Sequence, residues 1–222
     1  MDCIEKIDAR INVEEILRSI ENLCTRYPSY QRSEAVGGWS VQSIYGSYTE
    51  GWPKVFCPYN GPNNMAPTWN PLNEYEKSLG SIQDFVNPTE FYSEPLWGLI
   101  KKIDAMGFNP RRARVIKLSA GASSVWHIDG SKKYYQVRLH LPLLTSSQCF
   151  FETDKGSYHM PADGSFYIVK INQNHRVVNH GSTDRLHFVS HIWDTNHTTK
   201  FHKYISNENI GESIHPQEGQ WW

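Results

Sequence analysis

With 222 residues and a mass of 25.7 kDa, the chain is long enough to bury the core of one large domain. Its 22 Lys and Arg residues and 23 Asp and Glu residues give a formal charge of −1, so no global basic field supports binding to nucleic acid or to an anionic membrane. A content of 39% hydrophobic and 20% charged residues excludes a disordered chain, and 13% aromatic residues favour β-sheet packing.

The cysteines and the first residues of the sequence indicate the cellular compartment in which the protein is expected. Cys3, Cys24, Cys57 and Cys149 lack the pairing and density of a disulfide scaffold, so we expect free thiols. The first residues lack a basic segment followed by an apolar run, and no stretch approaches eighteen consecutive apolar residues. We therefore expect a cytoplasmic protein with no membrane partner.

The first predicted element is an amphipathic helix over residues 12–25. Asn12 and Glu15 have the spacing of a capping box, and apolar residues then recur at helical spacing. A strand is predicted over residues 39–45. A second helix is predicted from residue 88 to residue 106, with Gly107 as its stop signal.

The segment 46–73 between the strand and the second helix is crowded with proline, glycine and asparagine. A loop of this length inside a compact domain is usually functional, unless it hides an unrecognised element. It carries Trp52, Tyr59 and Trp69, and we expect it to act as a lid that closes over a bound molecule and excludes water.

From residue 111 onward, short runs of alternating polarity are separated by Gly, Asp and Asn turns at intervals of about ten residues, which is typical of an all-β sandwich or barrel. The runs cover 112–118, 124–128, 135–144, 148–153, 165–171, 175–179 and 185–193. In two of them, one face is apolar and the other is basic. Arg138 and His140 share the basic face of one run, and Arg185, His187 and His191 share that of the other. The phase alone leaves open whether these basic faces meet solvent or a cavity.

A candidate metal site begins at the His127-Ile128-Asp129 triplet, whose imidazole and carboxylate lie on the same side of an extended strand end. His175 follows several strands later, a separation that can bring it to the opposite wall of a small barrel. Two histidines and one carboxylate on one side of Fe(II) leave three positions open for a chelating co-substrate and dioxygen. A structural zinc site would require a fourth ligand, and no cysteine lies at ligand spacing. The alternative is an ordinary histidine beside an Asp129-Gly130 turn.

A candidate anion site follows on the next strand, where Arg185 can hold a carboxylate in bidentate fashion. The distal carboxylate of 2-oxoglutarate requires such a cation, because it would otherwise be buried unpaired. Arg138 and His140 can contact the same co-substrate near the metal. The alternative for Arg185 is an ion pair at the rim with Asp184 or Asp163, and Lys117 is then the next candidate.

Taken together, five segments resemble the aspartyl/asparaginyl β-hydroxylase-like group of Fe(II)/2-oxoglutarate oxygenases, particularly its bacterial L-proline cis-4-hydroxylase-type members. They are "RRARVIKLS", "HID", "VRLHLPL", "DGSFYIVKINQNHRVVNHG" and "DRLHFV". The resemblance implies a mainly β fold, a double-stranded β-helix of the jelly-roll or cupin type with two or so supporting N-terminal helices. It implies that His127, Asp129 and His175 bind iron, that Arg185 binds the distal carboxylate of 2-oxoglutarate, and that Arg138 and His140 lie near its other end.

The resembled amino-acid hydroxylases also have an arginine at the position of Arg114, where it receives a substrate carboxylate. The alternative is that Arg114 faces outward on a solvated strand edge. The chain departs from the family at Ser190-His191-Ile192-Trp193-Asp194, which lines the expected pocket wall, and the loop 46–73 has no family counterpart.

We therefore expect one domain over 1–222, with helical and loop-rich support in 1–110, a jelly-roll core in 111–195 and a tail in 196–222. The expected function is hydroxylation of an unactivated C–H bond in a free amino acid or small derivative, with Fe(II), 2-oxoglutarate and O2 as cofactors and succinate and CO2 released. The alternatives are a hydroxylase of peptidyl Asp, Asn or Pro, and a cupin-type metal-binding barrel without oxygenase activity. The expected partner is a small molecule, with no nucleic acid.

Overall fold

A computed structural model of the chain describes residues 3–31, 35–49, 85–128, 137–192 and 194–202. Asp129, most of the expected lid and most of the expected C-terminal tail lie outside these residues. Cys3, Cys24 and Cys149 are free thiols, as predicted. Within the described ranges, neither helix has the length and apolar character needed to cross a membrane.

The fold is mainly β, and the described residues form twelve strands and two helices. The strands are β1 (Ile4–Ile7), β2 (Tyr30–Gln31), β3 (Val36–Ser40), β4 (Gln42–Ser43), β5 (Asn87–Pro88), β6 (Arg111–Leu118), β7 (Val137–Leu144), β8 (Cys149–Thr153), β9 (Gly156–Tyr158), β10 (Phe166–Lys170), β11 (His175–Asn179) and β12 (Arg185–His191). The helices are α1 (Val13–Cys24) and α2 (Glu94–Ala105).

Two antiparallel sheets form the body of the fold. The larger has the strand order β1-β10-β7-β12-β6-β3-β2, and the smaller has the order β11-β8-β9. Phe151 of the small sheet packs in one cluster with Tyr167 and Val169 of the large sheet, so the two sheets face each other across a core. From β7 to β12 the chain passes back and forth between the two sheets, with β8, β9 and β11 in the small sheet and β7, β10 and β12 in the large one. This alternation between two facing sheets is the expected jelly-roll arrangement.

Asn12 caps α1, as its spacing to Glu15 predicted. The Glu15 backbone N–H donates to Asn12 Oδ1 over 3.3 Å, and Asn12 Nδ2 donates to Glu15 Oε2 over 3.4 Å. The second helix begins later than predicted, because Ser93 caps it by accepting from the Leu96 N–H over 3.3 Å. The start predicted at residue 88 is wrong, since Asn87–Pro88 pairs with β4 instead.

The helices cover the outer face of the large sheet. Leu139 of β7 and Phe188 of β12 are fully buried in one apolar cluster with Ile16 and Ile20 of α1 and Leu96 of α2. Because side chains alternate along a strand, the basic residues of β7 and β12 point the other way, into the space between the sheets. The basic faces of these two strands therefore meet the interior of the protein rather than solvent.

Most of the predicted strands are present, and the differences are local. The run 39–45 is split into β3, which starts earlier, and β4. The run 124–128 forms an irregular segment instead of a strand, and isolated bridges at Ser123, just before it, and at His127 connect this part of the chain to β11. No sequence pattern predicted β1 or β9, which are short edge strands that pair with β10 and β8.

Candidate active site

His127 and His175 lie side by side at one end of the interior. Their backbones exchange two hydrogen bonds of 2.9 Å, in an isolated antiparallel bridge between the irregular segment and β11. Their ring centroids are 4.4 Å apart. The structure therefore brings together two residues that are far apart in the sequence, as the predicted metal site requires.

Backbone carbonyls fix the tautomer of both rings. His127 Nδ1 lies 2.7 Å from the Val125 carbonyl oxygen, and His175 Nδ1 lies 2.8 Å from the Gln173 carbonyl oxygen. A carbonyl oxygen only accepts, so each Nδ1 carries the proton and each Nε2 keeps the lone pair that a metal binds. Phe151 stacks on His175, with a centroid distance of 4.9 Å and an interplanar angle of 23°, and holds the ring in place.

This pair fits two ligands of a transition metal, since neutral imidazole nitrogens suit iron, zinc, copper and nickel. Within the described ranges, no group of three His, Cys, Asp or Glu side chains is assembled. The predicted third ligand, Asp129, is two residues beyond His127 and outside those ranges.

Arg185 is buried between the sheets at the start of β12. It is 4% exposed, and burial lowers the pKa of its guanidinium to about 10, which still leaves it charged at neutral pH. Its Nη2 lies 2.9 Å from His187 Nδ1. Among the described residues, no carboxylate pairs with this cation.

The rim ion pairs considered for Arg185 are excluded, because both carboxylates are engaged elsewhere. Asp184 accepts from Lys117 over 3.1 Å, and Asp163 accepts from Lys6 over 2.5 Å. Lys117 is thus held in a partly exposed surface pair, which makes it a poor substitute for Arg185.

His187 is a site residue that the sequence reasoning placed on the basic face but did not select. It is 1% exposed, and its Nδ1 atom contacts both Arg185 and His140, with 3.4 Å between the two Nδ1 atoms of the histidines. Burial, and then the Arg185 charge, hold the pKa of His187 well below its ordinary value, so its imidazole is neutral. The alternation along the strand could have indicated this residue, since His187 follows Arg185 by two positions and therefore shares its face of β12.

Further cations lie toward the other end of β12. Arg114 is 1% exposed on β6, with Ser40 of β3 and Val189 of β12 as its neighbours in the sheet. The alternative of an outward-facing strand edge is therefore wrong for Arg114. Arg138 is half-buried on the same interior face of the sheet, opposite Val169 of β10.

His191 lies among these arginines. It is buried, and burial together with the charges of Arg138, Arg112 and Arg114 holds the pKa of His191 well below its ordinary value. The interior thus contains two basic regions, one around Arg185 and one around His191, separated by the length of β12.

The histidine pair and Arg185 lie at opposite ends of the small sheet. Arg185 is near Cys149, which pairs with Asn179 at the last position of β11, whereas His175 is at the first position. Four residues of strand separate these ends, about 13 Å. An elongated anion that enters between the sheets can therefore meet both the histidine pair and the buried cation.

A family model described as aspartyl/asparaginyl beta-hydroxylase matches residues 95–195. The matched segment contains all of the predicted site residues, from Arg114 to Arg185. The match confirms the family resemblance of this segment and, with it, the expectation of an enzyme of the hydroxylase class. No curated protein matches the chain.

Solved structures resemble the chain over most of its length at low sequence identity. A 2OG-Fe(II) oxygenase family oxidoreductase from Burkholderia pseudomallei is 12% identical, with 87% of this chain and 85% of that chain covered and a TM-score of 0.44. A prolyl hydroxylase from Trichoplax adhaerens, solved with a hypoxia-inducible-factor peptide fragment, is 12% identical, with 87% and 84% covered and a TM-score of 0.47. A prolyl-4-hydroxylase from Pseudomonas putida is 11% identical, with 86% and 92% covered and a TM-score of 0.48.

Replacing His175 tests the metal site. We expect His175→Ala to abolish tight Fe(II) binding in anaerobic calorimetry, because the remaining ligands cannot hold the ion against water and buffer. His180→Ala, which removes an exposed histidine just beyond β11, is the matched control and should bind as the parent does. Parental affinity in His175→Ala would show that His175 is not a ligand.

Proposed function

We propose that the chain is an Fe(II)- and 2-oxoglutarate-dependent dioxygenase that hydroxylates an unactivated C–H bond of a free amino acid or a small amino-acid derivative. The observation that carries this proposal is Arg185, a buried cation that no carboxylate of the described residues pairs with. Leaving such a charge unpaired in the interior costs several kcal/mol, so the site is built for an anionic ligand. The family match of residues 95–195 supports a hydroxylase.

In this proposal, His127 and His175 hold the metal through their Nε2 atoms, and Asp129 supplies the third ligand. Fe(II) bound with 2-oxoglutarate and dioxygen supplies the oxidation of a C–H bond, with succinate and carbon dioxide as the other products. The carbonyls of Val125 and Gln173 keep both rings in the ligating tautomer before any metal arrives.

Arg185 receives the distal carboxylate of 2-oxoglutarate, and its burial strengthens that interaction because little water screens it. Arg138 and His140 are on the interior face of β7, and in this proposal they contact the co-substrate near its other end. The cupin-type alternative, a metal-binding barrel without a co-substrate, gives no reason for a cation at the position of Arg185.

Arg114 receives the carboxylate of the substrate. Its guanidinium is buried in the second basic region, next to the interior face of β12 and away from Arg185. Since the chemistry depends on which C–H bond is nearest the metal, these residues act by orienting the substrate rather than by moving protons.

The direct test is anaerobic addition of Fe(II) to the protein with and without 2-oxoglutarate. We expect a visible charge-transfer band only when both are present, because the band requires the co-substrate to chelate the metal. Its absence would contradict the proposal. A screen of free amino acids and short peptides for substrate-dependent succinate then identifies the substrate class, and a response to peptides alone would assign a peptidyl hydroxylase.

Replacing Arg185 tests the co-substrate site. Arg185→Gln keeps a polar side chain but removes the charge, so the KM for 2-oxoglutarate should rise by about tenfold or more, the effect of a lost charged hydrogen bond of about 1.5–3 kcal/mol. Fe(II) affinity should remain at the parental value. Lys117→Gln is the control, since Lys117 pairs with Asp184 at the surface, and an unchanged KM in Arg185→Gln would assign the carboxylate elsewhere.

Replacing Arg114 tests substrate capture. We expect Arg114→Ala to lose coupled hydroxylation while it still decomposes 2-oxoglutarate, because the co-substrate site is intact but the C–H bond is no longer positioned. Product and succinate are measured in the same reaction at limiting substrate. Arg114→Lys, which keeps the charge, should retain part of the coupling, and full coupling in Arg114→Ala would exclude this role.

A further inference from the structure

We propose that His187 is a positioning residue for the co-substrate site, whose Nδ1 atom holds the Arg185 guanidinium in the direction that meets a carboxylate. The inference rests on the function proposed for Arg185. It concerns a residue two positions further along the same face of β12, neither a metal ligand nor one of the predicted site residues.

The hydrogen-bond chemistry of this pair is unambiguous. Arg185 Nη2 and His187 Nδ1 are 2.9 Å apart, and both side chains are buried. A guanidinium has only N–H donors, so Nδ1 must be the acceptor, and the His187 proton is therefore on Nε2. An imidazolium could not accept this hydrogen bond, so the contact requires the neutral ring that burial and the Arg185 charge impose.

A second residue, His140, contacts the same Nδ1 atom of His187. His140 lies on β7, and its ring meets that of His187 at a centroid distance of 5.7 Å and an interplanar angle of 81°. The Nδ1 atoms of the two rings are 3.4 Å apart. The contacts of Arg185 and His140 thus converge on His187 and join β12 to β7. In the proposed function, both Arg185 and His140 contact the co-substrate.

A second observation points to a ligand. Within the described part of the chain, His187 Nε2 is buried and makes no hydrogen bond. A buried N–H without a partner is rare in a folded protein, because it forfeits the hydrogen bond that water would supply. The donor is available to a ligand oxygen or to a water molecule bound with the ligand.

Positioning matters because arginine has a long side chain with considerable rotamer freedom. An arginine that is already fixed loses little further freedom when it binds a carboxylate, whereas an unrestrained one loses that freedom on binding. Loss of the His187 acceptor should therefore weaken co-substrate binding without affecting the metal ligands.

The test compares two substitutions of His187. Asn carries an amide oxygen that can occupy the place of Nδ1, while Leu has a similar size and no acceptor. We expect His187→Leu to raise the dissociation constant of 2-oxoglutarate by about tenfold, the effect of one lost hydrogen bond with a charged partner, and His187→Asn to stay within about threefold of the parent. The titration uses the anaerobic Fe(II)-loaded protein, followed by calorimetry, and kcat at saturating 2-oxoglutarate should change little in either variant.

His180→Leu, at an exposed histidine, is the matched control and should bind 2-oxoglutarate as the parent does. Parental affinity in His187→Leu, or equal losses in the Leu and Asn variants, would overturn the role of the acceptor. If His187→Leu fails to fold, a long-range ¹H–¹⁵N spectrum of the parent shows which ring nitrogen of His187 carries the proton. A proton on Nε2 supports the inference, and a proton on Nδ1 contradicts it. If Arg185→Gln itself binds 2-oxoglutarate normally, the proposed function of Arg185 fails first, and the two failures are thereby distinguished.

Discussion

Positive charge buried between two sheets is the constraint on which the site depends. Arg185 and Arg114 are both inside the fold, where the low dielectric makes an uncompensated charge costly. Among the described residues, Arg185 contacts the neutral His187 imidazole rather than an acidic side chain. A neutral acceptor orients the cation without cancelling its charge, so the attraction for an external anion is preserved.

This arrangement is possible because the apolar side chains are placed elsewhere. The helices α1 and α2 cover the outer face of the large sheet, and the apolar halves of β7 and β12 pack against them. That cluster supplies a conventional core, so the space between the sheets does not have to be wholly apolar. A second, smaller cluster around Phe151 and Tyr167 joins the two sheets.

The sequence predicted the features that have a local signal. The capping box of Asn12 and Glu15, the alternation in β6, β7 and β12, and the basic face with Arg138 and Arg185 all follow from residue periodicity. It could not predict which side of the large sheet the helices cover, because that depends on pairing between distant strands. For the same reason the contact of His187 with Arg185 was not recognised. The predicted start of α2 was too early, because Asn87–Pro88 pairs with β4 instead of joining the helix.

The bridge between His127 and His175 has a consequence for the order of events in assembly. The irregular segment is attached to β11 along its length by backbone hydrogen bonds, from Asn179 and Ala122 at one end, through Ser124 and Val177, to the two histidines at the other. The distance between the backbones of His127 and His175 is thus set by main-chain hydrogen bonds that do not require a metal ion. In the proposed function the protein would fold before the metal binds, so metal supply would govern how many molecules are active rather than how many are folded.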